Sequence, residues 1–190
     1  MGENNSYFLV GIIFGGYKMN GLLLIIPLIL IRFGLLRLFS KKALGRAAYF
    51  APLEGYERKV LVLYQISNIF LVLYPLALKI HTEEPLFIVG LLVYGAGVCL
   101  LVISTFSFAR PKQGGINTSG IYKISRNPMY IGYFIYFMGC VLLMRSWLMF
   151  GALIIFIAST HPIVLSEERW CIHKFGDEYV RYMSNVRRYI

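Results

Sequence analysis

Long apolar runs alternate along the chain with short, strongly polar joints. Five runs reach or approach the roughly 20 apolar residues a helix needs to cross a bilayer core. They cover residues 22–39, 60–80, 85–106, 129–144 and 147–165. Pro27 lies inside the first and predicts a kink that neighbouring helices can accommodate. Arg32 stands in the same run as an interior charge. Only Arg145 and Ser146 separate the last two runs, so these should form a tight helical hairpin. A further apolar segment, residues 7–16, is short and broken by Gly15 and Gly16, and is expected at the membrane interface. There is no internal repeat and no low-complexity tract. The pattern predicts an all-α integral-membrane bundle of about five transmembrane helices, a single membrane domain over residues 1–190.

Composition agrees with the pattern. Hydrophobic residues make up 58% of the 190, against about 45–50% in a soluble domain. The formal net charge of +10 would suggest nucleic acid in a soluble protein. Here the basic residues form no stripe on a soluble module, so no nucleic-acid partner is expected. They flank the apolar runs instead. Lys41, Lys42, Arg46, Arg58 and Lys59 lie between the first two runs. Arg110, Lys112, Lys123 and Arg126 lie between the third and fourth, and Arg169, Lys174, Arg181, Arg187 and Arg188 follow the fifth. The alternate joints hold only Lys79 and Arg145. Five crossings put every rich joint on one side, which the positive-inside rule assigns to the cytosol. Membrane lipids are therefore the expected surroundings.

Cys99 and Cys140 lie in apolar runs and read as small core residues; Cys171 lies in a polar tail. Three scattered cysteines make no disulfide framework. Met1 to Ser6 has no basic residue, so no cleaved signal peptide is expected.

The mouth of the fourth run carries the chemistry. Asn127-Pro128 reads as a helix start, with Asn at the cap and Pro at the first helical position. Such a start exposes backbone N–H groups and attracts anions, and Arg126 adds a bidentate cationic fork. A capped span start with a headgroup-facing arginine would look the same. Tyr122 and Tyr130 flank this turn and can line a pocket, whereas Tyr133 and Tyr136 read as an interfacial aromatic belt. Just after the fifth run come Glu167 and Glu168, two carboxylates at a membrane edge that call for solvent, a partner or a cation. The hairpin should bring them across from Arg126, so a zwitterionic ligand would suit the cleft. Phe175-Gly176 reads as a helix stop, and Asp177-Glu178 as the first turn of a surface helix able to cover the cleft. Glu168, Cys171 and His173 make a poor zinc set, so no metal is expected. His161 beside Pro162 is expected to kink or cap the fifth run.

These elements in order, Gly120-Ile121-Tyr122, Arg126-Asn127-Pro128-Met129-Tyr130, the hairpin, Glu167-Glu168 and Phe175-Gly176-Asp177-Glu178-Tyr179, resemble the integral-membrane methyltransferases. That group includes isoprenylcysteine carboxyl methyltransferase and the phospholipid N-methyltransferases. The likeness covers residues 116–182; residues 1–105 resemble the family only as membrane spans. It implies S-adenosylmethionine as methyl donor, with residues 1–106 supplying N-terminal spans and 107–190 the cofactor-binding catalytic region. It implies that Arg126, or the N–H groups after Asn127, hold the donor carboxylate, that Glu167 or Glu168 hold its ammonium or ribose, and that Tyr122 and Tyr130 pack on adenine or sulfonium. Ile116, Asn117, Pro128 and Met129 join the donor-binding set by position. Arg126, Tyr130 and Glu167 are the expected catalytic group.

The chain departs from the family pattern twice. Many members have His where Asn127 stands, so a general base there is not expected. The prenylcysteine enzymes also resemble one another in an Arg about one turn before the acid pair, where this chain reads His161-Pro162-Ile163-Val164. The methyl acceptor is left open among a prenylated cysteine, an amino-phospholipid headgroup, a small thiol and a quinone-like lipid, reached from the bilayer. Two rival readings are a sterol-type membrane reductase using NADPH, which shares a similar turn, and a non-enzymatic membrane scaffold or carrier.

Overall fold

A computed structural model describes residues 19–39, 45, 49–82, 85–110 and 116–190; the segment 7–16 lies outside them. Among the described residues the regular structure is helical throughout. Helix α1 occupies residues 22–39 in three consecutive parts: Leu22–Ile29, a π turn Leu30–Leu35, and Leu36–Phe39. Helix α2, Glu57–Leu73, continues into a 3-10 turn, Tyr74–Ala77. Helix α3 is Leu86–Ala109. A short 3-10 turn, Gly120–Lys123, precedes α4, Pro128–Met144. Helix α5 is Trp147–Phe175, and α6 is Asp177–Asn185. Glu57–Ala77, Leu86–Ala109 and Trp147–Phe175 are long and apolar enough to cross a membrane, and α4 is a shorter apolar helix. The chain is thus a helical membrane bundle.

The helices alternate in direction. At one end, Gly21 N–H donates to Leu78 O at 2.9 Å and His81 N–H to Leu143 O at 3.0 Å. The start of α1 and the ends of α2 and α4 meet there. At the other end, Arg169 of α5 grips Glu57, the first residue of α2, with Nη2 2.7 and 2.6 Å from the two carboxylate oxygens. The hairpin between α4 and α5 turns on Arg145 in the left-handed region (φ 49°) and on Ser146, whose hydroxyl caps α5 by accepting from Met149 N–H.

Two principal interfaces hold the bundle, α3 on α4 and α2 on α5. The first is built on glycine. A Cβ on Gly97 would collide with the Tyr136 backbone, and one on Gly139 with the Tyr94 backbone. Between apolar helices in lipid, close packing of small residues replaces the hydrophobic drive available in water. The second interface is aromatic. Phe156 of α5 stacks on Tyr64 of α2 (centroids 5.1 Å) and meets Phe137 and Tyr133 of α4 edge-on at 6.1 and 6.5 Å.

Pro27 removes one backbone donor from α1. In that turn Tyr94 Oη donates to Leu24 O at 3.0 Å, and Tyr136 Oη donates to the same carbonyl. Neither Tyr133 nor Tyr136 belongs to an interfacial belt: both are buried. Their position near a span end drew that expectation, but both face the other helices.

Candidate active site

The end of the bundle that holds Arg169 and Glu57 encloses a cavity of about 780 Å³, within the usual size of a small-molecule site. Nine of the ten residues expected to bind the donor line it: Ile116, Asn117, Tyr122, Arg126, Asn127, Met129, Tyr130, Glu167 and Glu168. Pro128 does not line it; it is buried as the first residue of α4.

Asn127 is the residue before the helix, as expected, but its side chain makes no capping bond. Its Nδ2 donates to Arg188 O at 3.1 Å instead. The C-terminal segment folds back over the mouth of α4. Arg126 N–H donates to Arg187 O at 2.9 Å, and Ser125 Oγ donates to Arg188 O at 3.3 Å. His161 stands 3.1 Å from Tyr189 Oη through Nδ1 and does not line the cavity.

The two acids differ in surroundings. Glu168 is buried and lies between two guanidinium groups, Arg188 Nη2 at 2.9 Å and Arg126 Nη2 at 3.3 Å. Both Arg188 Nε contacts fall at 3.0–3.1 Å. This carboxylate already has cationic partners, so it orients Arg126, which limits any direct hold on a ligand. The same contact holds the Arg188 pKa above its ordinary value, its hydrogen bonds to Glu168 outweighing burial. Glu167 accepts from Tyr130 Oη at 3.0 Å.

Helix α6 roofs the cavity with Tyr179 and Tyr182. Gly176, at φ 55°, makes the turn that separates α6 from α5. Tyr182 Oη donates to Tyr122 O at 2.6 Å, and burial pushes its pKa up to about 12. Burial raises Tyr179 as well. Both phenols are neutral donors near neutral pH.

Among the described residues, three buried polar atoms at this end have no hydrogen-bond partner: Arg126 Nε, Arg126 Nη1 and Asn117 Oδ1. An unpaired buried donor or acceptor costs about 1–3 kcal/mol, so such a group calls for an explanation. Two cationic donors and one amide acceptor fit a carboxylate beside an ammonium or hydroxyl. The aromatic walls fit a planar base or a cation. S-adenosylmethionine carries every one of these groups, so the residues present fit it. Among the described residues no group of three His, Cys, Asp or Glu is placed to hold a metal ion.

Other cavity residues were not placed at the site by the sequence. Tyr64, Tyr133, Trp170, Cys171, Tyr179 and Tyr182 line the site, as does Arg32 from the π turn of α1. Arg32 gave a signal as a charge inside an apolar run, and Tyr179 as the end of the last motif.

Comparison with known proteins agrees with the motifs. Residues 86–178 match the family model described as Phospholipid methyltransferase. A stretch of 102 residues is 28% identical to Steroid 5-alpha-reductase DET2 of Solanum lycopersicum, covering 52% of this chain and 40% of that protein. A stretch of 85 residues is 33% identical to Methanethiol S-methyltransferase of Pseudomonas deceptionensis, covering 41% of this chain and 29% of that one. The chain thus spans less than half the length of these two curated relatives. No solved structure matches it significantly. From α3 to the first turn of α6 the chain matches the phospholipid methyltransferase family, in agreement with the resemblance to integral-membrane methyltransferases carried by the motifs from Gly120 to Tyr179.

Proposed function

We propose that the chain is a membrane methyltransferase that takes S-adenosylmethionine from the cytosol and methylates a lipophilic acceptor reached from the bilayer. The observation that carries this reading is the buried set Arg126 Nε, Arg126 Nη1 and Asn117 Oδ1, without a hydrogen-bond partner among the described residues, on two residues that line a cavity of about 780 Å³. The donor supplies an activated methyl group on a sulfonium. Arg126 holds its carboxylate, oriented from behind by Glu168. Asn117 accepts from its ammonium or ribose. Tyr122, Tyr179 and Tyr182 shield the site from water, and the Tyr130–Glu167 pair borders the place of transfer.

Methyl transfer from a sulfonium is a displacement that relies on alignment and on exclusion of water. A site without a nucleophilic triad is adequate for it. Five crossings, with the basic joints inside, would put the cavity mouth at the cytosolic face.

The likeness to a steroid reductase favours one other reading, a reductase that binds NADPH at the same Arg-Asn-Pro turn. Calorimetric titration of the detergent-solubilised protein with S-adenosylhomocysteine and with NADPH separates the two. Saturable binding of S-adenosylhomocysteine alone supports the methyltransferase, and binding of NADPH alone supports the reductase. Binding of neither by a folded sample leaves the scaffold or carrier.

A further inference from the structure

Two consecutive residues of α5 brace the helix in different directions. Glu168 reaches to the mouth of α4 and to the tail, between Arg126 Nη2 at 3.3 Å and Arg188 Nη2 at 2.9 Å. The next residue, Arg169, is turned about 100° around the helix and reaches to the start of α2. There its Nη2 lies 2.7 and 2.6 Å from the two carboxylate oxygens of Glu57. Glu167, Glu168, Trp170, Cys171 and Lys174 line the cavity, whereas Arg169 and Glu57 do not. The pair therefore stands outside the site and holds the turn of α5 that builds one wall of it.

Glu57 is a fixed anchor for this grip. It is buried and opens α2. Its N–H donates to Glu54 O at 3.0 Å, and its Oε2 accepts from Glu54 N–H at 2.9 Å. The carboxylate thus reaches back one turn, as the glutamate of a capping box does. The ion pair also lies far from the aromatic contact that joins the same two helices. Phe156, which stacks on Tyr64 at 5.1 Å, is about 20 Å of helix rise from Arg169. That contact holds α2 against α5 by itself. What the ion pair adds is the rotation of α5 at the cavity end.

We propose that Glu57 is a positioning residue for the donor site: through Arg169 it fixes the rotation of α5 that sets Glu168 behind Arg126, and so governs how tightly the amino-acid end of the donor is held. The inference rests on the methyltransferase reading. Glu168 and Arg169 are neighbours on one rigid helix, so neither can turn without the other. With Glu57 gone, α5 is free to turn at this end, and Glu168 no longer stays within bonding distance of Arg126. The guanidinium then loses the orientation that presents Nε and Nη1 to a carboxylate. The adenosine end of the donor does not depend on that orientation.

The test compares two ligands on the full chain in one detergent. S-adenosylhomocysteine is titrated by calorimetry. 5′-Methylthioadenosine, which keeps the adenosine thioether and lacks the amino-acid end, is read by its displacement of the first. Glu57→Gln and Arg169→Gln should each weaken S-adenosylhomocysteine about tenfold, the size of one charge-assisted contact. Methylthioadenosine should stay within about twofold. The double variant should be no worse than the worse single one, because the two side chains make one contact. A pair that only held the fold together would weaken both ligands alike. Equal losses for the two ligands, an unchanged S-adenosylhomocysteine affinity, additive losses in the double variant, or a parent chain that binds both ligands equally each overturns the assignment. If a single variant does not fold, the double variant decides, since it leaves no uncompensated charge: it should show the same split between ligands, and the parent's preference retained there overturns the proposal. A folded parent chain that binds neither ligand would instead refute the methyltransferase reading.

Discussion

Arg188, the third-last residue of the sequence, lies 2.9 Å from the buried carboxylate of Glu168, which also holds Arg126 at 3.3 Å. The tail therefore shares one acid with the residue assigned to the donor. Removing Arg188 should let Glu168 draw Arg126 closer and take donors away from the ligand. Arg188→Ala is expected to weaken S-adenosylhomocysteine binding about tenfold, the size of one charge-assisted bond. It should also speed hydrogen exchange in residues 177–190. If affinity and exchange both match the parent, the tail is not part of the site.

Arg126 lines the cavity and has two buried nitrogens, Nε and Nη1, without a partner among the described residues. Lysine keeps the charge but loses the fork that meets a carboxylate with two bonds. Arg126→Lys should raise the dissociation constant of S-adenosylhomocysteine about 10–100-fold. The decarboxylated analogue should lose far less, because its missing group is the one Arg126 holds. Equal losses for the two ligands would place Arg126 elsewhere on the donor.

The α3–α4 interface tests the fold apart from the site. A side chain at Gly97 or Gly139 would collide with the facing backbone, whereas nothing lies within 4 Å of a Cβ at Gly151. Gly97→Ala and Gly139→Ala should each destabilise by about 1–3 kcal/mol, the range for overpacking. Gly151→Ala should be neutral or slightly stabilising, since alanine is the better helix former. Thermal unfolding of the three variants in one detergent provides the comparison.

The parts that local chemistry dictates were legible in the sequence. The Arg145-Ser146 joint, the Pro128 helix start and the Gly176 stop each depend on a few adjacent residues, and each stands where expected. The contacts that close the site were not legible. Arg32 and Tyr133 are 101 residues apart, and no periodicity links them. Tyr133 was read as an interfacial residue because an aromatic near a span end suits water and helix alike. Glu168 was assigned to a ligand because nothing in the pattern shows the tail returning to pair with it. Asn127 kept its place before the helix, but its side chain went to that same tail.

Tyr130 and Glu167 come from different helices and meet at 3.0 Å, which makes them one functional unit or two neighbours. Tyr130→Phe keeps the ring and removes the donor, and Glu167→Gln keeps the shape and removes the charge. Each should weaken S-adenosylhomocysteine binding by about tenfold if the pair is a unit, since either change breaks the same charge-assisted bond. The double variant then loses little more than the worse single one, because contacting groups couple by about 0.5–3 kcal/mol. Additive losses would mean that the phenol and the carboxylate hold different parts of the donor, with Tyr130 packing on it and Glu167 accepting from it. A double-mutant cycle on the dissociation constant, measured by calorimetry in one detergent, distinguishes these arrangements without reference to any acceptor.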